Sequence, residues 1–238
     1  MHYLDIAMTP GEALLKPVAD CYVVIDTFRA TTVMAMLFHR GLQSLLAVED
    51  IPAARVAHEA HPERLLFGES YGQKPEGFDF GNSPAEAAGL DLAAKDAIHA
   101  TSNGTRALCA VAERGVAVTG AFVNATAVAR FAANYERVLL VCSGNGGAAH
   151  FSLEDYATAA VIAQEVLRAR PDAELGDGAT LATALAAPET LLPRAEHAGV
   201  LRNFGFDADL EVAMRRDAAP VVPLVRERGP GWCLLVRG

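Results

Sequence analysis

Residues 23–32 read Val23-Val24-Ile25-Asp26-Thr27-Phe28-Arg29-Ala30-Thr31-Thr32, and they decide the fold. The apolar run that ends at Ile25 is typical of a buried strand, and the apolar stretch after Thr32 is typical of a helix. In an open α/β sheet, ligands bind beyond the carboxyl ends of the strands. Asp26 therefore stands where a carboxylate can hold a cation, and Arg29 where a guanidinium can meet an anion. The structural alternative is that Asp26 caps the helix and Arg29 pairs with a surface acid.

The same alternation recurs along the chain. Strand-like runs occur at 21–25, 45–48, 65–67, 97–101, 116–119, 138–142, 221–225 and 233–236, and segments of helical length occur at 31–40, 51–60, 104–114, 125–134 and 153–170. This pattern predicts an α/β fold with a mainly parallel sheet. The last two strands flank Gly229-Pro230-Gly231 like a hairpin, which would make the sheet mixed. We expect one domain over residues 1–238, with a helical subregion at 171–210.

Composition argues against several functional classes. The net charge of −9 disfavours nucleic acid as a main partner, because binding the phosphate backbone needs a basic face. No apolar run approaches the length that spans a bilayer, and Met1-His2-Tyr3-Leu4-Asp5 lacks the features of a signal peptide. The 4 cysteines are widely spaced, which is typical of buried free thiols. We expect a cytoplasmic protein that binds neither nucleic acid nor membrane.

Three further strand-to-helix junctions carry small or polar residues. They read Ala100-Thr101-Ser102-Asn103-Gly104-Thr105-Arg106, Gly120-Ala121-Phe122-Val123-Asn124-Ala125 and Cys142-Ser143-Gly144-Asn145-Gly146-Gly147. Backbone N–H groups at a helix N-terminus form an anion site, and small residues let the anion approach closely. Each loop alone is more often ordinary turn chemistry. Together with the first junction at one edge of one sheet, they predict a pocket for a small anion.

The segment from Gly68 to Pro84 is the other unusual feature. It is rich in glycine, proline and charged residues and has hardly any aliphatic core. Loops of this length without secondary structure tend to be functional or disordered. The aromatic residues Tyr71, Phe78 and Phe80 argue against disorder. We interpret the segment as an ordered lid or wall over the strand ends.

With these motifs in order, the chain resembles the 2-phosphosulfolactate phosphatase family (ComB-like proteins) over nearly its whole length. Besides residues 24–32, the resemblance lies in Gly68-Glu69, Lys74, Gly77-Phe78-Asp79, Gly81-Asn82-Ser83-Pro84, residues 102–108, residues 120–125 and Phe151-Ser152-Leu153-Glu154-Asp155. It implies a three-layer α/β/α fold. It also implies Mg²⁺-dependent hydrolysis of 2-phospho-3-sulfolactate to 3-sulfolactate and phosphate, on the route to coenzyme M.

The chain departs from the family pattern at several positions. Gly68-Glu69-Ser70-Tyr71-Gly72 stands where the family has Gly-Glu-Arg-Gly-Gly, and Cys142-Ser143-Gly144-Asn145 where it has Cys-Ala-Gly-Thr. Glu196-His197-Ala198-Gly199 stands where a Ser-His-Gly-Arg-like stretch is expected. The loss of basic residues at two places bears on sulfonate recognition more than on the phosphatase chemistry.

The resulting hypothesis is metal-assisted phosphoryl transfer on a small anionic phosphate ester. Asp26, with Glu69 or Asp79, would supply the carboxylates for Mg²⁺, and Arg29 would offset charge on the transferring group. The residues expected to hold phosphate, sulfonate or carboxylate, or to orient these groups, are Thr31, Lys74, Asn82, Ser83, Ser102, Asn103, Gly104, Thr105, Arg106 and Asn124. Asp155 follows Ser152 in a capping-box pattern, which is as readily structural as functional.

Two rival functions stay open from the sequence. The first is a phosphatase for another small phosphorylated hydroxy acid. The second is a non-catalytic sensor of anions, which the clustered acids Asp26, Glu69 and Asp79 disfavour because a binder of anions gains nothing from them. We also expect a homodimer.

Overall fold

The computed structural model describes residues 3–238, so that Met1 and His2 of the N-terminal segment lie outside the described residues. The strands are β1 (Tyr3–Ala7), β2 (Cys21–Ile25), β3 (Ser44–Val48), β4 (Leu65–Gly68), β5 (Asp96–Ala100), β6 (Val116–Gly120), β7 (Arg137–Cys142), β8 (Glu174–Leu175), β9 (Pro223–Gly229) and β10 (Trp232–Arg237). The helices are α1 (Pro10–Leu15), α2 (Ala30–His39), α3 (Ile51–Ala60), α4 (Pro84–Ala88), α5 (Gly104–Ala112), α6 (Ala125–Ala132), α7 (Leu153–Ala169), α8 (Asp177–Thr183), α9 (Glu196–Asn203) and α10 (Asp207–Ala213), with 3₁₀ turns at Phe122–Asn124 and Pro188–Arg194.

All these strands form one sheet of 10 strands in the order β4-β5-β3-β10-β9-β6-β2-β7-β1-β8. Strands β4, β5 and β3 are parallel to one another, and so are β6, β2, β7, β1 and β8. The antiparallel hairpin of β9 and β10, which we call the central hairpin, lies between the two parallel groups and pairs antiparallel with both. The predicted hairpin and the predicted mixed sheet are both confirmed.

Burial on β2 shows why the protein has three layers. Cys21, Val23 and Ile25 face one hydrophobic cluster, which they share with α6 and α7. Tyr22 and Val24 face a second cluster, which they share with α2 and α5. Because successive side chains of a strand point to opposite faces of the sheet, both faces must be covered by helices. The predicted three-layer α/β/α architecture is confirmed.

The sequence did not predict β1 or the two-residue strand β8. The central residue of β1 explains why that strand was missed. Asp5 interrupts the apolar run, yet its side chain is buried and 1% exposed. Its carboxylate accepts hydrogen bonds from Lys16 Nζ at 2.7 Å and from the Gly178 amide at 3.1 Å. A buried carboxylate is tolerated where it is paired and hydrogen-bonded, and no local hydrophobic pattern reports that pairing.

The segment 171–210 is largely helical, as the sequence predicted. It contains α8, the 3₁₀ turn at Pro188–Arg194, α9 and the start of α10, preceded by the two-residue strand β8. The segment contributes buried residues to the hydrophobic cluster on the α7 face of the sheet, among them Leu192, Ala195, Ala198 and Leu201. The single-domain assignment stays a prediction.

The two parallel groups run in opposite senses, because three successive antiparallel pairings separate β3 from β6. The sequence placed four polar junctions at one edge of one sheet. In the structure the junctions after β2, β6 and β7 belong to one parallel group, and the junction after β5 belongs to the other. A functional site at these junctions must therefore form between the groups.

Two smaller expectations concern the cysteines and the membrane. All 4 cysteines are free; Cys21, Cys142 and Cys233 are buried, and Cys109 is partly buried. Within residues 3–238, no helix has both the length and the apolar character needed to cross a bilayer.

Candidate active site

A cavity of about 640 Å³ lies between the two parallel groups. Its walls come from the residues that follow β2, β4, β5 and β7, together with the first residues of α3 and the middle of α9. Three of the four predicted polar junctions thus line one cavity. Of the segment 68–84 that was predicted to form a lid or wall, residues 69–72 and Asn82 line it as well. The junction after β6 does not reach it. This cavity is the candidate active site.

Asp26 lies at the wall of the cavity, where β2 ends. Its side chain is 7% exposed, and its Oδ1 accepts a hydrogen bond from the Ala30 amide at 3.1 Å. Its Oδ2 accepts no hydrogen bond from residues 3–238. Burial raises the pKa of Asp26 to about 6, against the lowering effect of the Ala30 amide. The expected capping role and a free carboxylate oxygen therefore coexist in one side chain.

Glycine at position 104 lets the loop after β5 approach Asp26. A Cβ at this position would lie 2.7 Å from Asp26 Oδ2 and 2.7 Å from the Ala30 Cβ. Such distances are far inside van der Waals contact, so only glycine fits the present arrangement. The N-terminus of α5 is thereby held directly beside the carboxylate of Asp26.

Arg29 is almost completely buried, at 4% exposure, although it lines the cavity. Its Nη1 donates to Asp209 Oδ2 at 2.6 Å, and its Nη2 donates to the Gly72 carbonyl oxygen at 2.9 Å. The guanidinium also lies over the ring of Phe206, 4.3 Å from its centroid. Asp209 on α10 thus balances the charge of Arg29, and it accepts hydrogen bonds from Ser83 Oγ and the Ala85 amide as well.

Glu69 joins two walls of the cavity through backbone amides. Its Oε1 accepts from the Ser102 amide at 2.6 Å, and its Oε2 accepts from the Gly72 amide at 2.7 Å. Both carboxylate oxygens are therefore occupied by protein donors. Glu69 fixes the loop after β4 against the loop after β5.

The loop after β5 presents donors that the protein itself does not use. No hydrogen bond to another described residue engages the amides of Asn103 and Gly104, at the start of α5, or the guanidinium of Arg106. Asn103 Oδ1 accepts from the amides of Gly147 at 2.9 Å and Ala148 at 3.1 Å, which ties this loop to the loop after β7. Free amides at a helix N-terminus and a free guanidinium are the groups that bind small anions.

His197 and Glu154 form a second polar pair at the cavity. His197 lines the cavity with its side chain 27% exposed, and its Nδ1 lies 3.2 Å from Glu154 Oε1. Burial opposes protonation of this imidazole, but the hydrogen bond to Glu154 and the charges of Glu154 and Asp26 outweigh it. The pKa of His197 is therefore raised above its ordinary value.

Asp155 lies next to Glu154 but serves the framework of the site. Its Oδ1 accepts from the Thr27 amide at 2.8 Å, and its Oδ2 accepts from the Gly144 amide and Ser143 Oγ, both at 3.1 Å. These bonds connect the loop after β2 with the loop after β7. Burial, with the charges of Asp26 and Glu154, raises the pKa of Asp155 well above its ordinary value.

Asn82 lines the cavity and is held from behind by His99 on β5. Asn82 Oδ1 lies 3.0 Å from His99 Nε2, so that nitrogen is the donor and His99 Nδ1 is left without a partner. Complete burial lowers the pKa of His99 to about 3. A neutral imidazole therefore fixes the amide of Asn82.

Several residues that the sequence assigned to the site do not line the cavity. Asp79 is exposed, and its Oδ2 accepts from the Leu66 amide at 2.8 Å. Lys74 is exposed as well, with its Nζ 3.4 Å from the Asp79 carbonyl oxygen. The loop folds back here, because Phe80 stacks on Phe67 with ring centroids 4.6 Å apart. The structure therefore does not bring Asp79 and Lys74 together with Asp26.

The remaining predicted residues outside the cavity wall make hydrogen bonds within the framework of the protein. Thr31 Oγ1 accepts from the Asp26 amide at 3.0 Å and donates to the Gly120 carbonyl oxygen at 2.7 Å. Thr105 Oγ1 accepts from the Thr101 amide, and Ser83 Oγ accepts from the Glu86 amide at the start of α4. Asn124 is fully buried and bonds the Ala121 amide and the Val221 carbonyl oxygen.

Sequence reasoning missed His197, Glu154 and Asp209. His197 and Glu154 were quoted only for the family resemblance, and Asp209 was not singled out. Apart from that resemblance, the capping-box pattern Ser152-Leu153-Glu154-Asp155 was the only sequence feature that drew attention to Glu154 and Asp155. No local pattern could have revealed Asp209, because its partner Arg29 lies 180 residues away.

The donor set fits a metal ion that relies on its substrate and on water. Within residues 3–238, no group of three or more carboxylate, imidazole or thiolate side chains forms a ready metal cage. Mg²⁺ in phosphoryl-transfer enzymes commonly uses one or two carboxylates, waters and substrate oxygens. Asp26 Oδ2 is a carboxylate oxygen of this kind, whereas both oxygens of Glu69 are occupied. Of the three predicted ligands, Asp26 fits best, because each oxygen of Glu69 already accepts from an amide and Asp79 lies outside the cavity.

Comparison with known proteins finds relatives over almost the whole chain. The profile of a family described as 2-phosphosulpholactate phosphatase matches residues 7–228. A protein of Parasynechococcus marenigrum (strain WH8102), named probable 2-phosphosulfolactate phosphatase, is 36% identical over 231 residues, which cover 93% of this chain and 95% of the relative.

Proteins of the same name occur in other bacteria. The one from Deinococcus radiodurans is 35% identical over 211 residues, or 86% of this chain and 87% of the relative. The one from Thermus thermophilus is 34% identical over 232 residues, or 94% of this chain and 95% of the relative. The similarity therefore spans all the elements that form the cavity.

Proposed function

Because the chain belongs to the 2-phosphosulfolactate phosphatase family, we propose that it hydrolyses the phosphate ester of 2-phosphosulfolactate in the cavity between its two parallel groups. The products are 3-sulfolactate and phosphate. The observation that carries this proposal is the free Oδ2 of Asp26 beside the unused amides at the start of α5. Use of the product for coenzyme M rests on the sequence resemblance alone.

We assign the transferring phosphoryl group to the start of α5. The amides of Asn103 and Gly104 would donate to its oxygens, and the helix N-terminus favours negative charge there. Arg29 adds positive charge to the same cavity, although Asp209 offsets part of it. Donors that are fixed before substrate arrives stabilise charge without reorganising during the reaction.

Mg²⁺ is the proposed cofactor, with Asp26 as its protein ligand. When bound, it would neutralise charge on the phosphoryl oxygens and activate water. Asp26, Glu69 and Glu154 lie close enough for their negative charges to repel one another, and a cation at this point would relieve that repulsion. Glu69 would keep the two loops in register rather than bind the ion.

The sulfonate or carboxylate of the substrate is assigned to Arg106. Its guanidinium lines the cavity and has no partner among the described residues, whereas Lys74 lies away from it. The substrate carries both a sulfonate and a carboxylate, whereas Arg106 is one guanidinium. A phosphorylated hydroxy acid without the sulfonate is therefore a second candidate substrate. Such esters belong in the same assay.

The test is phosphate release from 2-phosphosulfolactate and a panel of phosphorylated hydroxy acids, with Mg²⁺ and with a chelator. Asp26→Asn should lower kcat by at least about a hundredfold, since it removes a charge that faces the reacting group. Asp79→Asn is the matched control, because an asparagine oxygen can still accept from the Leu66 amide outside the cavity.

Equal losses in the two variants would contradict the assigned site. Turnover of another ester alone would overturn the substrate, and binding without turnover would favour a sensor. Full activity in the presence of the chelator would refute the proposed dependence on Mg²⁺. Cytoplasmic location and a homodimer stay predictions, and light scattering tests the second of them.

A further inference from the structure

His197 and Glu154 form a pair that the mechanism above does not use. The imidazole belongs to α9 and the carboxylate to the first turn of α7, and they meet at the wall of the cavity. Glu154 is 2% exposed, so its carboxylate is almost fully withdrawn from water. A buried carboxylate that bonds one nitrogen of a half-buried imidazole fixes both the tautomer and the orientation of the ring.

The pair leaves one ring nitrogen available to a ligand. Nδ1 is engaged by Glu154, whereas Nε2 has no hydrogen-bond partner in the described part of the chain. Nε2 is also absent from the buried polar atoms that lack a partner, and the ring lines the cavity. The nitrogen that can exchange a proton with a bound substrate is therefore Nε2.

The charges around the imidazole favour its protonated form. Burial acts to lower the pKa of His197, and so does the charge of Arg29. The hydrogen bond to Glu154 on α7 and the charge of Glu154 act to raise it, Asp26 after β2 adds to this while it holds no cation, and the net shift is upward. A protonated imidazole has no lone pair on Nε2 with which to attack phosphorus. The surroundings thus suit a proton donor.

We propose that His197 is the general acid of the reaction, donating the Nε2 proton to the oxygen of the leaving alcohol, and that Glu154 is its positioning residue. This inference rests on the proposed phosphatase function. The leaving group of a 2-phosphorylated hydroxy acid is a secondary alkoxide, which is a strong base and departs slowly unless it is protonated.

The proton balance of the step is complete. The ester P–O bond breaks, its electron pair stays on the alcohol oxygen, and that oxygen takes the proton from Nε2. Neutral His197 keeps its Nδ1 hydrogen bond to Glu154. The water that becomes part of the released phosphate loses a proton in each turnover, and one proton returned to Nε2 restores the imidazolium.

The experiment compares two kinds of ester. Wild type, His197→Asn and Glu154→Gln are assayed on 2-phosphosulfolactate and on 4-nitrophenyl phosphate, whose leaving group is stable without a proton. His197→Asn should lower kcat on the alkyl ester by about 10²–10⁴-fold and on the aryl ester by less than about tenfold. Glu154→Gln should shift the alkaline limb of the kcat/KM profile to lower pH, since a negative charge beside the imidazole is lost.

His61→Asn is the matched control. His61 also lies beside a glutamate, with its Nδ1 3.5 Å from Glu63 Oε1, but its side chain is 54% exposed and lies outside the cavity. This variant should leave both rates and the pH profile unchanged. Urea unfolding of each variant separates loss of chemistry from loss of fold.

The outcomes distinguish this inference from the proposed function. Wild type that hydrolyses no alkyl ester refutes the phosphatase itself. Active wild type with equal losses on both esters in His197→Asn, or with no loss, refutes the general acid and leaves the phosphatase standing. Trapping of a phosphohistidine at position 197 would also overturn it.

Discussion

Replacement of His99 by glutamine should remove part of the acid sensitivity of the protein. His99 is fully buried on β5, and burial lowers its pKa to about 3 from an ordinary value of 6.5. In the unfolded chain the imidazole takes up a proton as the pH falls below 6.5, whereas in the folded protein it stays neutral. Stability therefore falls with decreasing pH across the window between these two values.

The magnitude follows from the width of that window. Each pH unit within it changes the free energy of unfolding by about 1.4 kcal/mol, so His99 accounts for a loss of about 2 kcal/mol between about pH 7.5 and about pH 5. The glutamine side chain does not titrate and can still donate to Asn82 Oδ1. The difference in stability between the two pH values should thus be about 2 kcal/mol smaller in His99→Gln than in wild type.

The assay is urea unfolding at both pH values, with His61→Gln as the control. Other titrating groups are common to all three proteins and cancel in the comparison. His61 is exposed, so its replacement should leave the pH dependence as in wild type. Parallel pH profiles for His99→Gln and wild type would refute the reasoning, as would an NMR titration in which the folded-state imidazole of His99 protonates near pH 6.

Three further changes test other parts of the site. Gly104→Ala would force its Cβ against Asp26 and Ala30. It should lower the free energy of unfolding by about 1–3 kcal/mol and abolish most phosphate release. The control Gly11→Ala, whose Cβ would have its nearest neighbouring atom at 3.8 Å, should do neither. Asp209→Ala would leave the buried charge of Arg29 unpaired and should destabilise by about 3–5 kcal/mol in urea unfolding, against about 0.5 kcal/mol or less for the exposed neighbour in Glu211→Ala. Arg106→Gln should raise KM about 10–100-fold and leave the unfolding curve unchanged, because the guanidinium has no partner among the described residues; an unchanged KM would remove it from the substrate site.

The sequence predicted the elements well where local pattern dominates. The strand at Cys21–Ile25 and the helix at Ile51–Ala60 have their predicted bounds, because a β-branched apolar run and a capped amphipathic segment are decided by near neighbours. Asp26 and the loop after β5 reached the cavity for a similar reason. The end of a strand can be recognised from nearby residues, and the topology of the sheet then brings several strand ends to one cavity.

The remainder depends on contacts that no window of sequence contains. Asp79 lies close to Glu69 in the chain, yet the stacking of Phe80 on Phe67 turns it away from the cavity. Glu154 and His197 are 43 residues apart and meet because the 3₁₀ turn at Pro188–Arg194, which packs against α7, leads directly into α9. Likewise, the opposite senses of the two parallel groups follow from the antiparallel hairpin between them, which strand propensity does not encode.

The central hairpin has a consequence for how the protein acquires its shape. Strand β3, at residues 44–48, pairs with β5 on one side and gains its second partner only when β10, at residues 232–237, is in place. Strand β6 meets β9 at a single residue pair, Val118 with Leu224. Pairings between such distant segments close large loops and slow folding. Until the hairpin inserts, β3 and β6 each keep an open edge that can recruit a strand from another molecule. Refolding yield should therefore fall steeply with protein concentration.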